Sequence, residues 1–77
     1  MMIKKIINYI KDSDFKIVYV NNSVNIVNYD SILEVRDELV TLEKEKKLIF
    51  IKGNNLKIDK LLDNEILITG VILKIEL

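Results

Sequence analysis

Few residues in this chain could do chemistry. Asp59, Asp63 and Glu65 stand close together. Paired carboxylates can act as acid and base on a glycoside. Acidic residues can also hold calcium, but this spacing does not follow a calcium loop and lacks its internal glycine. A solvated turn is the better reading of the three. The sequence contains no histidine, so the usual general base near neutral pH is lacking. It contains no cysteine either, which excludes disulfides, thiol chemistry and zinc sites of the Cys/His kind. The glycines, Gly53 and Gly70, stand too far apart for a phosphate-cradling loop. A chain of 77 residues also leaves little room for a substrate cleft. The expectation is a non-enzymatic protein with no cofactor, metal or small-molecule substrate.

The elements that would carry these residues change character at Asp14. Before it, Ile3, Ile6, Ile7 and Ile10 recur at helical spacing and form one apolar stripe. Lys4, Lys5, Asn8 and Lys11 fall mainly off that stripe. This predicts an amphipathic helix over residues 1–13, ended by Asp12-Ser13-Asp14. A helix of roughly three turns is unstable alone and must pack on something. It either caps the rest of the chain or lies on a membrane surface or partner.

After Asp14 the apolar period is 2. Phe15, Ile17 and Tyr19 alternate with their neighbours, and Asn21-Asn22 suits a tight turn. Strands follow around Val24–Tyr29, Leu33–Arg36 and Val40–Leu42, with the charged run Glu43–Lys47 as a solvated hairpin tip. Leu48–Ile51 is apolar on both faces and reads as a central strand. Lys52-Gly53-Asn54-Asn55 then interrupts it before a short strand at Leu56–Ile58. Ile66, Ile68 and Ile72 share one face, whereas Ile75 and Leu77 lie on the other phase. Gly70 is the natural site for the bulge or bend that absorbs this slip. The reading is one domain, 1–77: a short N-terminal helix, then about seven short strands over 15–77. This is an all-β, mainly antiparallel fold, either a small β-sandwich or a partly open barrel.

Composition fits a globular chain, with 49% hydrophobic and 31% charged residues. Lysine plus arginine balance aspartate plus glutamate at 12 each, so the basic excess of a nucleic-acid binder is missing. A small near-neutral domain lacks net repulsion and tends to self-associate. The longest apolar run, Ile66–Leu73, is far short of the roughly 20 residues that span a bilayer. The expected location is the cytoplasm.

Two segments resemble a known family. Ile51-Lys52-Gly53-Asn54-Asn55-Leu56-Lys57-Ile58 is similar to the Ile-x-Gly-x-x-Leu-x-Ile motif of the YabP/YqfC sporulation proteins. Ile68-Thr69-Gly70-Val71-Ile72 is similar to their closing Ile-x-Gly-x-Ile motif. Ile26-Val27-Asn28, running into Ile32-Leu33-Glu34, resembles an earlier segment of that family, so residues 15–77 are covered. One departure is the tip at Lys46-Lys47, where the family often has glycine, which implies a different hairpin turn. The resemblance implies a non-enzymatic role in endospore formation, in the mother cell, beside a membrane-embedded sporulation protein. It marks Gly53, Leu56, Ile58, Gly70 and Ile72 as structural motif positions.

A second reading is an Sm-like small β-barrel that binds RNA. Such proteins also begin with a helix, and Ile68–Ile72 faintly resembles their second motif. Their first motif is not visible, and stacking aromatics are sparse. The expected partners are therefore a second copy of the chain, the membrane sporulation protein, or both. Peripheral membrane contact is compatible with the helix. The candidate interaction surface comprises Ile3, Ile6, Ile7, Ile10, Ile49 and Ile51.

Overall fold

A computed structural model describes residues 15–77. The expected helix with Ile3, Ile6, Ile7 and Ile10 lies outside the described residues. Six strands follow: β1 (Lys16–Val20), β2 (Ser23–Val27), β3 (Ser31–Arg36), β4 (Leu39–Lys44), β5 (Lys47–Leu61) and β6 (Glu65–Glu76). All neighbours pair antiparallel, in one sheet of order β1-β2-β6-β5-β4-β3. The all-β, antiparallel expectation holds. Two details differ from it. Leu48–Ile51 and Leu56–Ile58 are one strand, because Lys52–Asn55 bends β5 without ending it. In place of two sheets there is one open sheet, whose edges are β1 and β3.

Two-residue turns set the β1–β2, β3–β4 and β4–β5 hairpins. Asn21 joins β1 to β2 with φ 54°, a left-handed conformation that asparagine tolerates. At the β4–β5 tip, Lys44 pairs with Lys47, leaving Glu45-Lys46 as the turn. Both adopt positive φ, 52° and 67°, as a type I′ turn requires. Neither residue favours that region. The tip is held from outside: the Glu45 N–H donates to Asp30 Oδ2 at 2.7 Å, and the Asp30 N–H donates to the Glu43 carbonyl at 2.8 Å. Replacing Glu45-Lys46 by Asn-Gly should therefore stabilise the protein by about 1–2 kcal/mol. A higher urea midpoint with unchanged slope is the expected readout; an unchanged midpoint would contradict the assignment of the turn.

The long β5–β6 hairpin bends through mismatched register. Asn54 pairs with Val71 and Lys57 with Thr69, so Asn55 and Leu56 together oppose Gly70. Asn55 has φ 53°, consistent with a bulge on β5. A further irregularity, between Ile58 and Lys60, leaves Asp59 unpaired in the ladder. On the opposite strand, Lys52 pairs with Lys74 and Gly53 with Ile72, so Leu73 is the extra residue. The phase slip between Ile72 and Ile75 is thus absorbed at Leu73. Bulged backbone needs other partners. The β3–β4 turn supplies them: Gly53 N–H donates to the Glu38 carbonyl at 3.1 Å and Leu56 N–H to the Asp37 carbonyl at 2.8 Å.

These bends curl the sheet. β1 and β4 are four strand spacings apart in the sheet order, about 19 Å if flat. Yet Lys44 Nζ of β4 lies 5.9 Å from the ring of Phe15, immediately before β1. The concave side collects the core. Val24 and Ile26 of β2 pair with Ile68 and Ile66 of β6, while Val40 and Leu42 of β4 pair with Ile51 and Ile49 of β5. With Leu56 they form one buried cluster.

Candidate interaction surfaces

The motif residues all sit at or beside the bend. Gly53 and Leu56 are buried, Ile58 and Ile72 are half-buried against the core, and Gly70 is half-buried under the β5 bulge. The two glycines meet different demands. A Cβ on Gly53 would overlap the Val71 carbonyl oxygen of the paired strand. A Cβ on Gly70 would lie 2.5 Å from the Asn55 carbonyl oxygen, and Gly70 also has φ 131°, which L side chains rarely adopt. Gly53 therefore provides close backbone approach, and Gly70 provides both approach and conformation. These positions shape the sheet and offer no reactive group.

One expected surface needs correcting. Ile49 and Ile51 are 3% and 0% exposed, because their faces of β5 turn into the concave side. They are core residues and present no exposed interaction surface, Ile49 showing only an edge at the end of the sheet. The outward residues of that segment are Leu48, which is exposed, and Phe50, which is half-buried. Ile3, Ile6, Ile7 and Ile10 lie outside the described residues.

The convex face of the C-terminal half of the hairpin carries charge. Lys52 and Lys74 stand opposite each other, a repulsive placement. Glu76 answers both: its carboxylate is 2.9 Å from Lys52 Nζ and 3.8 Å from Lys74 Nζ. The hydrogen bond and charge of Lys52, then the charge of Lys74, hold the Glu76 carboxyl below its ordinary value. A carboxyl depressed on folding stabilises above its unfolded pKa, and that contribution fades as pH falls through the folded pKa. Glu76→Gln should therefore be less stable than the parent at neutral pH and low salt, with the gap closing in acid and in high salt. A gap that persisted in acid would show that packing, not charge, is responsible.

Asp59 and Asp63 are exposed, and Glu65 accepts a 2.7 Å hydrogen bond from Asn25 Nδ2. Among the described residues, no three acidic side chains gather to hold a metal ion. No described helix is long and apolar enough to cross a membrane.

The sheet edges differ from each other. β3 is broken by a bulge at Leu33 and carries the Arg36–Glu34 ion pair at 2.8 Å. Bulges and charges are the usual means of blocking edge-to-edge pairing. β1 has neither. Its five residues run in unbroken register with β2, its only charge is Lys16, and Val18, Tyr19 and Val20 are exposed at 44%, 52% and 57%. Sequence reasoning passed over this edge. Ile17 to Val20 is apolar in both phases, a pattern that by itself suits a central strand rather than an edge.

No family model, curated protein or solved structure matches this chain.

Proposed function

We propose that this chain is a non-enzymatic assembly module of endospore formation. It self-associates along β1 and works beside a membrane-embedded partner in the mother cell. The β1 edge, on whose outer side no described strand pairs, is the observation that carries the assembly part. An exposed strand without bulge, proline or charge pattern is a template for pairing with another strand. The sporulation part is supported by the resemblance of Ile51–Ile58 and Ile68–Ile72 to the YabP/YqfC motifs. These segments face each other across the bend, so the shared pattern is a pattern of shape. Two copies of β1 paired antiparallel about Val18 would place each Lys16 opposite a Val20, away from its counterpart. The sheet would then continue across a two-fold axis.

Sedimentation of the full chain over a concentration series tests this reading. The expected result is an average mass that rises with concentration and changes little with salt, because backbone pairing and apolar contact drive it. Val18→Lys should return the protein to monomer, with a urea midpoint equal to that of the parent at concentrations where the parent is itself monomeric. A parent chain that stays monomeric throughout, or a variant that associates as well as the parent, would overturn the assembly reading. Deleting the gene in a spore-forming host should lower the yield of heat-resistant spores; an unchanged yield would remove the sporulation part alone.

A further inference from the structure

A cleft of about 280 Å³ opens at one end of the curled sheet, beside the β4–β5 tip. Phe15, Leu48, Ile49 and Leu77 give it apolar walls, and Lys44, Glu45 and Lys47 stand at its rim. Leu48 and Leu77 are 43% and 80% exposed, so apolar surface lies open to water there. We propose that this cleft is the docking site of the chain's own N-terminal segment, residues 1–13, through the stripe of Ile3, Ile6, Ile7 and Ile10.

Three observations select that occupant. The segment starts at the cleft, because Phe15, the first described residue, is part of the wall. Only Asp12, Ser13 and Asp14 separate Phe15 from Lys11, a reach of about 14 Å at full extension. The stripe is therefore tethered beside the cleft at an effective concentration that a free partner rarely matches. Charge is compatible: the link carries Asp12 and Asp14, and the rim carries Lys44, Glu45 and Lys47, with Lys44 already 3.8 Å from Asp30 and Lys47 the cation left for the link. Finally, each side has what the other needs. A short amphipathic stripe cannot bury itself, and the open end of the core has unburied apolar wall. This inference does not depend on β1 pairing or on a role in sporulation.

The absence of cysteine from the sequence makes the test direct. The full-length chain carrying Ile7→Cys and Leu48→Cys is oxidised at low protein concentration. Its rate of bond formation is compared with that of an Ile7→Cys, Asn64→Cys chain. Asn64 is exposed and outside the cleft, and its carbonyl accepts from Asn28 N–H at the end of β2 that pairs with Lys16, about 10 Å from Phe15, so the tether alone serves both sites comparably. The expected result is an intramolecular bond that forms about ten-fold faster or more with Leu48→Cys than with Asn64→Cys. Equal rates would overturn the proposal. So would bonds formed only between chains, which would instead assign the cleft to a second copy. As a second measurement, Ile6→Asp with Ile7→Asp should raise binding of an apolar dye and speed amide exchange at Leu48 and Ile49. Unchanged dye binding and exchange would also overturn it. Val18→Lys, which tests β1 pairing, should leave the intramolecular bond intact, so the two ideas fail separately.

Discussion

Gly53→Ala is expected to cost about 3 kcal/mol or more and to leave much of the protein unfolded. The cause is space. Gly53 has an ordinary φ, yet a Cβ built on it would overlap the carbonyl oxygen of Val71. That oxygen belongs to the backbone of the paired strand and cannot rotate away as a side chain would. Relief requires β5 and β6 to separate where Gly53 pairs with Ile72 and Asn54 with Val71. Separation would also strain the bond from Gly53 N–H to the Glu38 carbonyl. A domain of this size has a total stability of only about 4–12 kcal/mol, so the loss is a large fraction of it. Gly70→Ala should cost about 2–3 kcal/mol, because it combines a strained φ with a close backbone contact. Asn54→Ala, at the exposed neighbour of Gly53, should change little. Urea denaturation of the three variants tests the ranking. A Gly53→Ala midpoint equal to that of Asn54→Ala would refute the close approach.

Much of this bend was legible in the sequence, and the part that was not has a definite cause. The period-2 alternation after Asp14 places Val24 and Ile26 correctly, because side chains of a half-buried strand must alternate; Val40 and Leu42 are also core, but in β4 Thr41 between them is buried as well. Asn21-Asn22 reads as a turn from the tolerance of asparagine for positive φ. The Gly70 bend is foreshadowed by the change of phase from Ile72 to Ile75. The extra residues, however, lie elsewhere: Asn55-Leu56 on β5 and Leu73 on β6. Which strand receives the extra residue is decided by the partner strand, and one strand's sequence does not encode its partner. The polar run Lys52–Asn55 reads as a loop for the same reason. Its backbone is satisfied by the β3–β4 turn, a contact distant in sequence. Ile49 and Ile51 show a related difficulty. Leu48–Ile51 is apolar in both phases, and only the curl of the sheet decides that the odd-numbered pair turns inward. The β1 edge went unread because strand order, not strand pattern, makes an edge.

The slip at Leu73 yields a paired prediction with opposite outcomes for two large aliphatic residues of the same hairpin. Ile51 is fully buried and stands between Val40 and Ile75 in the ladder. Ile51→Ala removes buried carbon and leaves a cavity that flanking strands cannot easily close, since each is held by its own register. The expected loss is about 3–4 kcal/mol, within the range for isoleucine truncation in a close-packed core. Leu73 sits in the same long apolar run as Ile66 and Ile68, and a strand without a bulge would turn it or its neighbours inward. In this fold it is the residue skipped between Ile72 and Lys74, and 67% of it faces water. Leu73→Ser should therefore change stability by less than about 0.5 kcal/mol, as surface substitutions usually do. Urea midpoints of both variants, read with the parent, test the placement of the slip directly. If the slip lay at Gly70 instead, the phase of Val71, Ile72 and Leu73 would reverse and bring Leu73 onto the face of Ile75. Leu73→Ser would then destabilise on the scale of Ile51→Ala, while Ile72→Ser would be tolerated. Those outcomes would reject the register in which Gly53 meets Ile72, and with it the reason that position must be glycine.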